Sequence, residues 1–477
     1  MAAPATETAL PAATEAALNA RLDAMMEVYS PVGYSVAILR GDQLVFERHD
    51  GLERIGRPDM PDEHTLYAVF SMSKLLFLVA VLQSVERGEL DLDAPIGRYV
   101  ADIPETWQAL PVRQLLEHAS GLPEYYSHPD VPPTFDDAME RVRDAAFLNP
   151  PGTLSRYNQT NFLLVKLALE AVSGRGYDDL VGTDQIVRLG LEDSVYGGLT
   201  LADQDAVILY RGLDETGALL TSEFPDYPAY VHSSVGLNTS LADLESWTRA
   251  LVRGELVARQ TLLDNWLPMT LNNGRPGAYA TGWEYTQQGA FTTVGHGGGG
   301  RVNLMHSFRT ETPDEHVTVI YLDNGGPREM SHRRLAAALA NEIMPGIASP
   351  LQILFEDLTA IYHAKGWSAA LAGLDRYAGE QALDAAGAEA LFNSFGYNLF
   401  GIFGPDAAQH VFRTNVERHP GSANVHDSLA EALRASGDAT GALEHYRHAQ
   451  TIDPENARVA AIIAGLEVEI AAGLSQE

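Results

Sequence analysis

Residues 75–85 read Leu-Leu-Phe-Leu-Val-Ala-Val-Leu-Gln-Ser-Val, an apolar run of helical length, and the tetrad Ser71-Met72-Ser73-Lys74 stands at its start. Ahead of it, Thr14–Val28 has amphipathic helical spacing. Gly33–Arg40 and Gln43–Glu47 flank a Gly41-Asp42 turn and predict a hairpin of two antiparallel strands. Helical patterns and loops dominate from there to about Leu263, including Val112–His118, Asn161–Val172 and Leu241–Val252. Alternation returns at Tyr279–Tyr285, Ala290–Val294, Asn303–Phe308 and Val317–Leu322, and Glu329–Ile343 is helical again. That order predicts an α+β domain over 14–345, whose antiparallel sheet is flanked by helices and takes strands from both ends of the sequence. The helical middle forms a second, all-helical lobe, and the cleft between the lobes is the expected place for a site. Gly121–Pro133, Asp203–His232 and Leu271–Gly277 are read as its lining loops.

Beyond Pro345-Gly346 the text turns Ala-rich and helical, which predicts a separate all-α domain over 346–477. Pro420 and Pro454 stand 34 residues apart. The positions before each are in phase: Phe392, Phe395, Gly396, Leu399, Ala408 and Phe412 align with His426, Leu429, Ala430, Leu433, Ala442 and Tyr446. That period and those small and aromatic positions resemble the tetratricopeptide repeat, with Leu351–Gly379 as a degenerate preceding pair and Ala457–Ala472 following. Each repeat needs neighbours to bury its faces. The alternative is an ordinary helical bundle.

Composition narrows the function classes. Of 477 residues, 45% are hydrophobic and 20% charged, a globular profile with room for a sizeable core. A net charge of -32 argues against nucleic acid or an anionic membrane surface as partner. No cysteine is present, so disulfides, thiol catalysis and cysteine-ligated metals are excluded. The segment Met1–Glu7 has no basic start or apolar core, so no signal peptide is expected in the chain as given, and no apolar stretch is long enough to predict a membrane span.

The tetrad places a hydroxyl and an amine one helical turn apart, a gap that a lysine stem closes. Serine is a weak nucleophile until a neighbouring base takes its proton. Lysine serves as that base only when burial or nearby positive charge lowers its pKa, and the flanking apolar residues supply such a setting. The helix start also brings backbone N–H groups of the kind an oxyanion needs. A second polar cluster, Pro151–Asn161, precedes the apolar helix Phe162–Val172. Its Tyr157 can offer a phenol to Ser71, with phenolate favoured beside an ammonium. A third, Gly295-His296-Gly297-Gly298-Gly299-Gly300-Arg301, lies between two strand patterns and allows close approach of backbone to a ligand. No G-K-[ST] follows it, which disfavours a phosphate loop. His445 and His448 suggest a metal pair, but a solvated helix face is the simpler reading, and no metal or cofactor is expected. Neither G-x-S-x-G nor H-E-x-x-H occurs.

Ser71-Met72-Ser73-Lys74, Tyr157-Asn158-Gln159 and His296-Gly297-Gly298 stand in the order of the S-x-x-K, Y-x-N and [KH]-[TG]-G elements of the penicillin-recognising serine hydrolases. The chain resembles the class C β-lactamase branch with its esterases, D-aminopeptidases and D,D-carboxypeptidases. Further phrases at Ala80–Asp93, Leu115–Pro123 and Val235–Leu244 support the match over about Thr14 to Ile343. The resemblance implies a Ser71 acyl-enzyme, proton transfer shared by Lys74 and Tyr157, and an oxyanion hole from the backbone N–H groups of Ser71 and Gly299. It also implies that the His296–Gly299 edge, Gly298 included, holds substrate, and that His118 and Ser120 belong to a turn forming the cleft wall. Two departures stand out: Gln159 replaces the Asn of Y-x-N, and His296, only partly charged at pH 7, replaces a lysine. Arg301 is the candidate to restore a cation. These departures steer the expected substrate towards an ester or a peptide-like amide. The alternatives are a β-lactamase or penicillin-binding D,D-peptidase, and a non-catalytic sensor. The same resemblance implies a periplasmic or secreted location, and the repeats imply a protein partner or self-association.

Overall fold

A computed structural model describes residues 10–126, 130–197, 206–222 and 226–474. The segment Met1–Glu7 and, within the expected lining loops, residues 127–129, 203–205 and 223–225 lie outside the described residues. The chain divides into two compact units: one takes the residues up to Arg21, Pro31–Pro327 and Ser331–Ser349, and the other Leu22–Ser30, Arg328–Met330 and the chain from Pro350.

The strands of the first unit are β1 (Gly33–Arg40), β2 (Gln43–Gly51), β3 (Tyr67–Ala68), β4 (Val195–Tyr196), β5 (Leu209–Leu213), β6 (Leu219–Ser222), β7 (Leu237–Thr239), β8 (Tyr279–Ala280), β9 (Trp283–Gln288), β10 (Phe291–Gly298), β11 (Val302–Arg309) and β12 (His316–Asp323). Among the described residues seven of them form an antiparallel sheet in the order β2-β1-β12-β11-β10-β9-β8. The N-terminal hairpin joins the C-terminal strands through β1 and β12, with Val36 opposite Tyr321 and Ile38 opposite Val319. Every β12 residue and all but the last of β1 are buried, which is why these strands read as nearly continuous apolar runs.

Three expectations change. Tyr279–Tyr285 is not one strand: β8 and β9 fold back at Thr281 and Gly282, both at positive φ (46° and 86°). A Cβ on Gly282 would stand 2.5 Å from the Leu78 side chain, so the turn admits only glycine there. The stretch read as helices and loops also holds a small sheet, β3-β7-β4, and the β5-β6 hairpin. Strands of two or three residues are too short for a period-two pattern to register. Finally, His296, Gly297 and Gly298 lie within β10 rather than in a loop between strands.

The Lys74–Glu86 helix is buried from Lys74 to Ser84, apolar on every side because it runs through the core. Phe77 packs against the rings of Phe162 and Tyr177 at 5.4 and 5.6 Å. No helix among the described residues is long and apolar enough to cross a membrane.

The second unit is all-helical, from Pro350–Lys365 through Trp367–Glu380, Ala385–Phe403, Pro405–Arg418, Ala423–Ala435 and Ala439–Ile452 to Ala457–Leu474. The in-phase positions Phe392, Phe395, Leu399, Ala408 and Phe412 are buried, as are His426, Leu429, Ala430, Leu433, Ala442 and Tyr446. His426 sits beside His445, Nδ1 to Nδ1 at 3.0 Å, and its ring lies 5.2 Å from that of His448. Gly396 lets two helices close, since a Cβ there would overlap the Phe412 ring. Gly396→Leu is therefore expected to destabilise this unit by about 1–3 kcal/mol through overpacking. Gly401, on the same helix, faces open space. Gly401→Ala should stabilise by about 0.5–1 kcal/mol. Urea unfolding followed by helical circular dichroism separates the two outcomes; equal midpoints would refute the packing argument.

Candidate active site

The chain enters the site at Val69, whose N–H donates to the Leu237 carbonyl at 3.1 Å. Phe70 then takes a positive φ of 45°, a strained value for an aromatic residue, and opens the 3-10 turn Phe70–Ser73 that runs into the Lys74–Glu86 helix. Ser73 pins the turn: its hydroxyl donates to the Phe70 carbonyl at 2.5 Å and accepts from the Leu237 N–H at 3.1 Å. Ser71 is thereby presented to the cleft, and its Oγ accepts a hydrogen bond from the Tyr157 hydroxyl at 2.9 Å.

Lys74 is fully buried. Its Nζ donates to the Ser234 carbonyl at 2.8 Å and lies 5.1 Å from the centroids of both the Tyr157 and Phe162 rings. Burial lowers its pKa to about 7, against the opposing charges of Glu124 and Glu284. The phenolate expected at Tyr157 is not favoured. The ring is 37% exposed at the cleft, yet crowding round its hydroxyl raises the pKa by desolvation, and the bonds with Ser71 and Gln159 only partly offset that. At neutral pH Tyr157 is a phenol, a hydrogen-bond donor.

Two peptide N–H groups flanking Tyr157 both bind one residue. Arg156 donates to the His118 carbonyl at 2.7 Å and Asn158 donates to His118 Nδ1 at 3.1 Å. His118 adopts a φ of 56° to do this, and its buried ring lies 4.7 Å from Tyr157, 4.5 Å from Tyr279 and 5.2 Å from Phe162. Because Nδ1 accepts, the imidazole proton sits on Nε2. Burial first, then Lys74 and His296, hold His118 well below the usual histidine pKa. It is thus more than wall: it touches Tyr157 directly. Ser120 is one layer back, donating to Asn161 Oδ1 at 2.6 Å.

His296 is 2% exposed on β10, its ring 6.0 Å from that of Tyr157. Burial lowers its pKa to about 4, so it is neutral at pH 7 rather than partly charged; Glu284, 3.7 Å from Nδ1, does not offset the desolvation. The end of β10 crosses directly behind the serine turn. A Cβ on Gly298 would overlap the Val69 carbonyl, and one on Gly299, at φ 55°, would stand 2.5 Å from the Phe70 ring. Only glycine permits that approach. Gln159 N-terminates the Gln159–Ser173 helix with its N–H on Glu124 Oε2 at 2.7 Å, while its own buried Oε1 has no hydrogen-bond partner among the described residues.

A cavity of about 320 Å³ opens beside Ser71, and Gln159, Ser234, Gly299 and Arg301 border it together with Tyr125 and Tyr227. The structure thus brings Ser71, Tyr157, Lys74, Gln159 and the β10 end together, and places Arg301 at the cavity with its guanidinium packed against Gly325. Sequence reasoning overlooked the Ser234 carbonyl, Glu124 and Tyr279, none of which carries a motif, and underrated His118, which stands inside the Leu115–Pro123 phrase. Of the three expected lining loops, Leu271–Gly277 contributes nothing to the described cavity wall. Away from the cleft, Glu47, His49 and Glu63 offer ligand atoms within 4.8 Å of one another. The His49 ring is already bonded to Glu47 at 2.7 Å and Ser35 at 2.8 Å.

A D-aminopeptidase of Cereibacter sphaeroides is 26% identical over 345 residues, 69% of this chain and 64% of the relative, so the chain spans slightly less than two thirds of that relative's length. Penicillin-binding protein 4* of Bacillus subtilis is 23% identical over 323 residues, covering 61% of this chain and 67% of the relative. The octameric penicillin-binding protein homologue from Pyrococcus abyssi shares the fold, with a TM-score of 0.59 at 21% identity over 72% of this chain and 81% of that one. The profile of the β-lactamase family matches residues 18–342, and the chain belongs to that family.

Proposed function

We propose that this protein is a serine hydrolase that acylates Ser71 with an ester or a peptide-like amide and passes the acyl group to water. The observation that carries the reading is the 2.9 Å bond from the Tyr157 phenol to Ser71 Oγ beside a fully buried lysine. With its pKa lowered to about 7, Lys74 supplies neutral amine at neutral pH and can take the serine proton as Oγ bonds to the carbonyl carbon. The Tyr157 phenol then gives its proton to the leaving oxygen or nitrogen as that bond breaks, and the Lys74 ammonium returns a proton to the phenolate. Deacylation runs the same steps with water as nucleophile, restoring the serine proton. The backbone N–H groups of Ser71 and Gly299 are assigned to the oxyanion, where one donor is worth about 10²–10³ in rate.

The open edge at His296–Gly299 suits an extended substrate backbone, and the unpartnered Gln159 Oε1 suits a substrate N–H. A neutral His296 offers no cation for a β-lactam carboxylate, which supports ester or amide turnover over β-lactam hydrolysis. The D-aminopeptidase relative points to an amide. On this reading the hydrolase occupies 14–345, and 346–477 is a tetratricopeptide-like domain that takes a protein partner or a second copy.

Fluorophosphonate labelling followed by peptide mass spectrometry should place one adduct on Ser71. Parallel assays with p-nitrophenyl esters, D- and L-amino acid anilides and nitrocefin should give ester or anilide turnover above nitrocefin turnover. An unlabelled Ser71 with no turnover of any substrate would instead make the fold a binding module.

A further inference from the structure

The bond from Tyr157 to Ser71 Oγ is spent when Oγ becomes an ester oxygen, so another group has to hold the phenol while the leaving group departs. One side of the ring is open to the cleft, which leaves its packing incomplete. What grips this stretch of chain is the turn at His118–Gly121. Its carbonyls accept from the loop before Tyr157, Gly121 from the Leu148 N–H and Ala119 from the Gly152 N–H, both at 2.8 Å. Other residue types would make those backbone bonds equally well. The bond from the Asn158 N–H to His118 Nδ1 depends on histidine at 118, as does the 4.7 Å approach of its ring to Tyr157.

The proton on that imidazole is fixed by a chain of partners. A peptide N–H only donates, so Nδ1 accepts from Asn158, and the Asn161 side chain turns its Nδ2 to the same nitrogen at 3.3 Å. Asn161 Oδ1 is left to accept from Ser120, whose Oγ in turn accepts from the Leu122 N–H at 3.1 Å. His118, Ser120, Asn158 and Asn161 are all buried. The proton therefore sits on His118 Nε2, which has no hydrogen-bond partner among the described residues. An orphaned buried donor costs stability, and a phenylalanine ring would fill the same space without one. What histidine adds at this position is the lone pair on Nδ1.

Resting on the hydrolase reading, we propose that His118 is a positioning residue: its Nδ1, kept an acceptor by Asn161 and Ser120, holds the Tyr157 phenol on the departing atom during acylation. The consequence is selective. A p-nitrophenolate leaves as an anion without a proton, whereas an ethoxide has to be protonated. Ethyl butyrate and p-nitrophenyl butyrate give the same butyryl-enzyme, and kcat/KM reads only its formation. Tyr157→Phe sets the scale. His118→Phe, which keeps a ring and loses the acceptor, should lower kcat/KM for the ethyl ester by about 10²-fold or more and for the p-nitrophenyl ester by less than about tenfold. His118→Asn puts an oxygen near the Nδ1 position, tolerates the positive φ and should recover most of the ethyl ester rate. Asn161→Asp, equal in shape but an acceptor, should draw the proton onto Nδ1 and reproduce the selective loss. Fluorophosphonate labelling of Ser71, which expels fluoride without an acid, checks the fold of each variant.

Equal loss on both esters in His118→Phe, no loss on either, or no recovery in His118→Asn would overturn this inference, while a selective loss in Tyr157→Phe leaves the hydrolase reading intact. Loss of labelling in both His118→Phe and Asn161→Asp would make His118 a purely structural residue and overturn it as well. If Tyr157→Phe shows no selectivity, the assignment of Tyr157 falls and this inference with it, as both do if the wild type turns over neither ester.

Discussion

Ser71→Ala is expected to lower kcat/KM for the preferred ester by about 10⁴–10⁶-fold and to abolish fluorophosphonate labelling. The size follows from chemistry: without Oγ no acyl-enzyme forms, and what remains is attack by water assisted by backbone N–H groups and binding alone. The fold should survive, because the turn is held by Ser73 and by the Val69 N–H rather than by Ser71. Steady-state kinetics beside circular dichroism read both halves of the expectation. Residual activity within about tenfold of the wild type would remove Ser71 from the nucleophile's role.

Lys74→Met should cost about 10³-fold or more in kcat/KM and at the same time make the protein more stable near neutral pH. The sign follows from the depressed pKa, which falls from 10.5 in the unfolded chain to about 7 in the folded one. Between those values the unfolded chain binds a proton that the folded chain does not, so wild-type stability falls as pH drops from 10.5 towards 7 and the loss is complete below 7. Methionine has no proton to lose and fills similar volume. The variant's advantage in urea midpoint should be greatest at and below pH 7 and shrink towards pH 10.5. Wild-type activity should rise through about pH 7 as the amine is freed. A rate independent of pH across that range, or a variant advantage that grows with pH, would show that Lys74 is not a buried neutral base.

The chain shows how much of such a site is local. Ser71 and Lys74 share one face because the helix repeat puts them there, and the apolar run after them announces burial. Tyr157 is different. Its approach to Ser71 depends on His118, which binds the peptide groups on both sides of it, and on the Asn158 side chain capping the following helix. The consecutive glycines at 297–299 announced a close backbone approach, but not that β10 runs behind Val69 and Phe70. The split of Tyr279–Tyr285 into two strands was signalled only by Gly282, because the positive φ of Thr281 is not one its residue type announces.

Charge states were the least legible. Histidine at 296 reads as partly protonated when only its type is known, yet the fold buries it and leaves it neutral. Lysine at 74 reads as an ammonium with a lowered pKa, and only the depth of burial sets that pKa near 7. Tyr157, expected to ionise beside the ammonium, stays a phenol because desolvation outweighs its hydrogen bonds with Ser71 and Gln159. Sequence alone determined the order of the longer helices and strands, the local pairing of Ser71 with Lys74, the glycine-permitted backbone approach and the membership of the β-lactamase family, all of which depend on residue type and spacing. Tertiary structure decided which groups carry charge and that His118 holds Tyr157, because desolvation and long-range packing depend on neighbours that only the folded chain brings together.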